Sequence, residues 1–265
     1  MTSSKDIIDG LAALRKGLST MALAWTDLYT AGLPRSSESL NRDPSEAHML
    51  ATATIQAGER VLEVGCSTGY ISEFLVKERG CRVVALEINH AAAVVTRERT
   101  GIEVIEPRGD DPNLPNEYDA AFDVILCADV IEHTQNPAAF LRQLLRYLHP
   151  EGRMILSVPN VAHWTCRWKL LCGRFEYEPV GIMAGEHLRF FTRDSLSRLL
   201  TDVGLEARSM RYSFGGWIYE GRAGRLLRQH TNMLAAMVNG WPTLFAVQFI
   251  IEASLSPSGA LARPR

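Results

Sequence analysis

Val61-Leu62-Glu63-Val64-Gly65-Cys66-Ser67-Thr68-Gly69-Tyr70 is the stretch that decides how this chain folds. An aliphatic run leads into a glycine turn, and the turn opens a stretch with helical spacing of apolar residues. A strand that turns tightly into a helix brings backbone N–H groups and the positive helix end close to a ligand, and Gly65 and Gly69 are the positions that must lack a side chain. A dinucleotide fingerprint would need G-x-G-x-x-G. Here Ser67 holds the second glycine position and Tyr70-Ile71-Ser72 supplies no third, which disfavours pyrophosphate and with it an oxidoreductase.

Outward from this turn, β-branched runs alternate with helical stretches, the signature of a parallel sheet covered on both faces. Strands are predicted at 60–65, 82–87, 102–106, 122–127, 153–158, 205–212 and 243–253, and helices at 70–78, 91–99, 137–148 and 193–203. Asn136-Pro137 supplies an N-cap and an N1 proline, and Gly204 ends the last of these helices. The expected fold is α/β, a Rossmann-like doubly wound sheet of seven mostly parallel strands. A helical stretch near 222–238 precedes the seventh strand, which favours an antiparallel edge strand there. Residues 1–57 read as a helical cover, 58–255 as the main domain, 159–192 as an insertion shaping a substrate pocket, and 256–265 as a disordered tail.

Composition removes several function classes. The 265 residues carry 28 Lys+Arg against 30 Asp+Glu, a formal charge of −2, so no global field draws the chain onto nucleic acid or anionic lipid. The longest apolar run, 244–251, is broken by Gln248 and falls far short of the roughly 20 residues that span a bilayer. The first residues lack a basic start leading into an apolar core and cleavage site, which places the protein in the cytoplasm. Five cysteines without paired spacing suit reduced thiols, and Cys66 has nothing nearby in sequence to activate it.

Two acidic positions follow the turn at informative distances. Glu87, 22 residues beyond Gly65, is placed where a carboxylate would accept from both ribose hydroxyls of a nucleoside. In Arg108-Gly109-Asp110-Asp111, Asp110 stands where an acceptor could meet an adenine amino group.

The set Glu63 to Gly69, Glu87, Gly109-Asp110 and Phe122-Asp-Val-Ile-Leu-Cys-Ala-Asp-Val-Ile-Glu-His133 resembles the class I S-adenosylmethionine-dependent methyltransferases in their small-molecule branch, over roughly residues 45–255. The resemblance implies S-adenosylmethionine as cofactor. It sets Gly65, Cys66, Ser67 and Gly69 against the methionine part, with Glu63 facing the amino group through solvent. It gives Glu87 the ribose, with Ile88 beside it in the pocket, Asp110 the adenine, and Cys127 and Ala128 a lining role through their backbone. The sequence departs from many members at Ser67, where they have glycine.

If 128–133 forms one helical turn, Asp129, Glu132 and His133 share a face aimed at the methyl donor. A hydroxyl acceptor must lose its proton as it attacks, so His133 is the first candidate base, a loop-capping imidazole being the plainer reading. The segments 157–179 and 185–196 resemble bacterial methyltransferases of sugar, quinone and natural-product modification. Within them His187 is the second candidate base. His163, flanked by Trp164 and near Trp168, reads as core or substrate wall, and Asn160 as a hydrogen-bond donor to substrate. Asp129, Glu132, His133 and His187 could also hold a divalent cation. E-x-x-E-H with a later His is the pattern of metal-dependent RNA 3′-end 2′-O-methyltransferases and, in related form, of quinone O-methyltransferases. Asp in the first position shortens that ligand arm, and no metal is expected.

Arg167, Lys169 and Arg174 form a local basic group, either solvated or meeting an anionic substrate, and Trp25 with Tyr29 reads as a packing pair or a lid. The expected activity is methyl transfer to a hydroxyl of a small molecule such as a sugar, polyketide or other secondary metabolite. RNA-end methylation and a non-catalytic, cofactor-binding partner protein are the alternatives. The expected partner is the small-molecule acceptor, with no nucleic acid or membrane, and a homodimer left open.

Overall fold

The computed structural model describes residues 37–40, 42–109, 111–214 and 231–257. Seven strands form one sheet: β1 (Arg60–Val64), β2 (Arg82–Leu86), β3 (Glu103–Ile105), β4 (Phe122–Ala128), β5 (Leu148–Pro159), β6 (Leu205–Ser213) and β7 (Gln248–Leu255). Their order is β3-β2-β1-β4-β5-β7-β6. Strands β1 to β5 pair in parallel, while β7 runs antiparallel to both β5 and β6. The antiparallel strand expected at the end of the chain is therefore β7. It slots in beside β5 and leaves β6 outermost.

Strand β4 explains why the strands read as unbroken apolar runs. Ile125 and Cys127 pack into one core with Phe140, Leu141, Leu196 and Phe249, and Val124 and Leu126 into another with Ala51, Ile55, Ile71 and Phe74. Both faces are covered, so alternate side chains are apolar on both sides. Around the sheet run α1 (Ala47–Thr52), α2 (Tyr70–Lys77), α3 (His90–Thr100), α4 (Pro137–Leu144), α5 (Trp164–Leu171), α6 (Arg193–Asp202), α7 (Thr231–Gly240) and α8 (Pro242–Phe245). Asn89, Asn136 and Thr192 cap α3, α4 and α6 with their side chains, and Thr192 forms a capping box with Ser195.

Three boundaries differ from expectation. The fourth helix ends at Leu144, and β5 starts at Leu148, because Leu148 already pairs with Phe122 before the register shifts. The seventh strand starts at Gln248, because Pro242 at the first position of α8 opens a helical turn instead. The insertion holds a helix, α5, that periodicity does not announce: only Cys166 of it is buried, while Trp168 is 61% and Leu171 78% exposed. Trp25, Tyr29 and most of the 1–57 cover lie outside the described residues, as does 215–230. Of the 256–265 tail, Ser256 donates its N–H to Gly204.

Asn160 is a structural residue, not a substrate donor. Fully buried at the end of β5, it donates through Nδ2 to the Thr243 and Ala246 carbonyls at 3.2 and 2.8 Å and accepts from the Ala162 N–H. These bonds tie β5 to the segment entering β7. Asn160→Ala leaves buried carbonyls unpaired and is expected to cost about 1–3 kcal/mol, read as a lowered urea midpoint at unchanged slope.

Candidate functional site

The strand order reverses direction between β1 and β4, and ligands of open α/β sheets bind at the carboxyl ends of the strands at such a point. The glycine turn after β1 lies there. Gly65 (φ 71°) and Gly69 (φ 77°) are left-handed. A Cβ on Gly65 would stand 2.9 Å from Val130 Cγ2, and one on Gly69 2.6 Å from Thr96 Cγ2. Glycine therefore lets the loop after β4 and helix α3 both close on the turn.

Four N–H groups of this turn are taken up within the protein. Gly65 and Cys66 donate to the Leu86 carbonyl, Ser67 to Glu87 Oε2 at 2.7 Å, and Gly69 to the Cys66 carbonyl. Glu87 thus braces the turn. It is buried, accepts also from the Asn89 N–H, and keeps lone pairs for a diol; burial pushes its carboxyl up. Ser67, at φ 50°, leaves its buried Oγ without a hydrogen-bond partner in the protein. Glu63 is buried beneath the turn on the Ser72 hydroxyl rather than facing solvent, and burial pushes it up to about 7. Cys66 is buried with its thiol pushed up, as befits a packing residue. Cys127 pairs with Val64, Ala128 follows it at the strand end, and Ile88 is 62% exposed on the rim beside Glu87. Asp110 lies outside the described residues. These groups fit an adenosyl amino acid: Glu87 suits a diol, Ile88 a flat apolar ring, and the orphaned Ser67 hydroxyl a polar group.

The stretch after β4 is not the single helical turn expected. Asp129 takes φ 55°, and a 3-10 turn spans Ile131–His133. This separates Asp129 from Glu132 and His133. Asp129 turns toward β5 and β7, accepting from Ser157 Oγ at 2.7 Å and Gln248 Nε2 at 3.0 Å, with His48 Nε2 3.6 Å away. Glu132, His133 and His187 do converge, with one ligand atom of each within 4.8 Å of the others, and the imidazoles meet edge-on at 4.9 Å. Both Nδ1 atoms face carbonyls, His133 that of Glu186 and His187 that of Ile182. The proton therefore sits on Nδ1, and each Nε2 keeps its lone pair. Burial, then His187, holds the His133 pKa below the ordinary imidazole value. Glu132 is buried with neither carboxylate oxygen bonded, and burial, then Asp129, pushes it well up.

Residues 37–210 match a protein family described as a methyltransferase domain. The chain belongs to this methyltransferase family. It is 31% identical over 107 residues to a ubiquinone biosynthesis O-methyltransferase of Pseudomonas aeruginosa, covering 39% of this chain and 46% of that protein. The matched stretch is thus about half the length of that relative. The protein of the same name from Xanthomonas euvesicatoria is 28% identical over 204 residues, 74% of this chain and 82% of that one. The fold is shared with a Burkholderia thailandensis 1,6-didemethyltoxoflavin-N1-methyltransferase solved with bound 1,6-didemethyltoxoflavin and S-adenosylhomocysteine (TM-score 0.54, 15% identity, covering 97% of this chain and 92% of that). It is shared as well with an S-adenosylmethionine-dependent methyltransferase of Thermotoga maritima (TM-score 0.54, 18% identity, 79% and 88%). The sheet is that of the class I S-adenosylmethionine-dependent methyltransferases.

In this methyltransferase the other insertion residues stand apart from the histidine pair. His163 is buried, caps α5 by accepting from the Thr165 N–H, and is lowered by burial to about 4. Lys169 pairs with Glu178 at 2.5 Å and Arg167 donates to the Ala162 carbonyl, so the basic group is internally satisfied at both. Sequence reasoning missed His48, Ser157 and Gln248, which reach Asp129 from three elements. No local spacing relates them.

Gly69→Ala is expected to destabilise the methyltransferase by about 2–4 kcal/mol, since left-handed backbone and the approach to Thr96 both oppose a Cβ. Chemical denaturation checks this.

Proposed function

We propose that this methyltransferase moves the methyl group of S-adenosylmethionine to a hydroxyl of a small molecule, with His133 or His187 as general base. The observation that carries the reading is the pair of imidazoles beyond β4, each with Nδ1 on a carbonyl, whose rings meet edge-on at 4.9 Å beside Glu132. A hydroxyl needs such a base and an amine does not. Bound at the switch point, S-adenosylmethionine would supply an electrophilic methyl group. The glycine turn, Ser67, Glu87, Ile88, Cys127 and Ala128 would hold it. The two named relatives favour a quinone precursor as acceptor, ahead of sugars, polyketides or other secondary metabolites. Holding the acceptor oxygen near the methyl group supplies most of the acceleration. Five free thiols suit a reducing compartment, so the reaction is assigned to the cytoplasm. Among the described residues no helix is long and apolar enough to cross a membrane.

The bare Glu132 carboxylate favours one second reading, in which Glu132, His133 and His187 hold a divalent cation that polarises the acceptor hydroxyl. Asp129, expected in that set, is engaged by Ser157 and Gln248 and does not join it.

Methyl transfer from labelled cofactor to catechol and hydroxyquinone acceptors tests the main reading. His133→Ala or His187→Ala should lower kcat by about 10²–10⁴-fold with cofactor binding kept. Protonation stops a base, and the His133 pKa is lowered, so if His133 is the base the acid limb of kcat should fall below the ordinary imidazole value of 6.5. Full activity in both variants refutes the base assignment. Loss of activity in EDTA, restored by Mg²⁺ or Mn²⁺, supports the cation reading, and indifference to EDTA removes it.

A further inference from the structure

His48 lies on α1, in a region read from sequence only as a cover, yet it meets Asp129, just past β4, and Tyr70 of the helix after the glycine turn. Its Nε2 stands 3.6 Å from Asp129 Oδ2, and its ring lies 5.5 Å from that of Tyr70, the first residue of α2. Asp129 is fixed from behind. Its own N–H donates to Ser157 Oγ at 3.0 Å, and its carboxylate accepts from Ser157 Oγ and Gln248 Nε2. The side chains of His48 and Asp129 stay 19% and 30% exposed, so the pair keeps an open face at the switch point.

The site has an electrostatic need for such a residue. The methionyl end of S-adenosylmethionine is a zwitterion, with an ammonium and a carboxylate. Carbonyls of the turn can serve the ammonium. The carboxylate finds no donors in the turn N–H groups of Gly65, Cys66, Ser67 and Gly69, which are all engaged. Beside His48 it would also approach Asp129, whose charge would repel it. A cation must stand between. Burial opposes charge on His48, but the charge of Asp129, 3.6 Å away, together with those of Glu46 and Glu63, outweighs it and the pKa is raised.

We infer that His48, held by Asp129, is the residue that binds the α-carboxylate of the cofactor's methionyl group. The inference rests on S-adenosylmethionine being the ligand of the switch point. It differs from a role as base: His48 acts on binding, with the chemical step left to the cluster beyond β4.

Calorimetric titration of wild type and His48→Gln with S-adenosylhomocysteine and with 5′-methylthioadenosine tests it. The second ligand keeps the adenosine and thioether and lacks the amino acid part. A charge-assisted hydrogen bond corresponds to about tenfold to a hundredfold in affinity. His48→Gln should lose that much for S-adenosylhomocysteine and bind 5′-methylthioadenosine as wild type does. Asp129→Asn, which tolerates left-handed backbone, should show the same selective loss and carries the test if the first variant does not fold. Unchanged S-adenosylhomocysteine affinity, with or without a drop in kcat, overturns the inference while the cofactor reading stands. So does an equal loss for both ligands. Failure of wild type to bind either ligand overturns the cofactor reading and this inference with it.

Discussion

Two missing side chains hold the site together. At Gly65 a Cβ would meet Val130, and at Gly69 it would meet Thr96, so the turn after β1 is gripped between the loop after β4 and helix α3. The grip is reinforced by hydrogen bonds that consume the turn's own N–H groups. Glu87 takes that of Ser67, and Thr96 returns a bond to the Ser67 carbonyl at 2.8 Å. None of the N–H groups of Gly65, Cys66, Ser67 and Gly69 is left to cradle a pyrophosphate. The turn offers a ligand shape, carbonyl oxygen and one unpartnered hydroxyl, and leaves acidic side chains to meet a diol.

The same closeness shapes the chain beyond β4. Asp129 sits in the left-handed region because Ser157 and Gln248 hold its side chain toward β5 and β7, and the chain then turns sharply into Ile131–His133. Residues three apart thereby serve two places. Asp129 looks back to His48 beside the glycine turn, and Glu132 looks forward to His133 and His187. The backbone of Glu132 also anchors the insertion, since its carbonyl accepts the N–H groups of Leu188 and Arg189 at 2.8 and 2.9 Å. One short loop therefore fixes the position of the histidine cluster relative to the glycine turn.

Much of this architecture is legible in the sequence where the signal is local. Seven strands, the caps at Asn136 and Gly204 and the glycine turn follow from pattern and spacing, and the meeting of His133 with His187 from the family resemblance. The misreadings are nonlocal. A helical turn over 128–133 ignores the pull of Ser157 and Gln248 on Asp129, 28 and 119 residues away. Asn160 resembles a substrate ligand because its bonds to Thr243 and Ala246 depend on where β7 inserts. Helix α5 carries its apolar residues outward, so it offers no stripe to read, and His48 acquires meaning only when α1 lands across the strand ends.

Everything proposed for this site depends on the switch point taking an adenosyl amino acid and not a dinucleotide. Parallel calorimetric titration of the purified protein with S-adenosylmethionine and with NADH separates the two. Saturable micromolar binding of S-adenosylmethionine and none of NADH is expected. Binding of NADH, or no heat with S-adenosylmethionine, would contradict it.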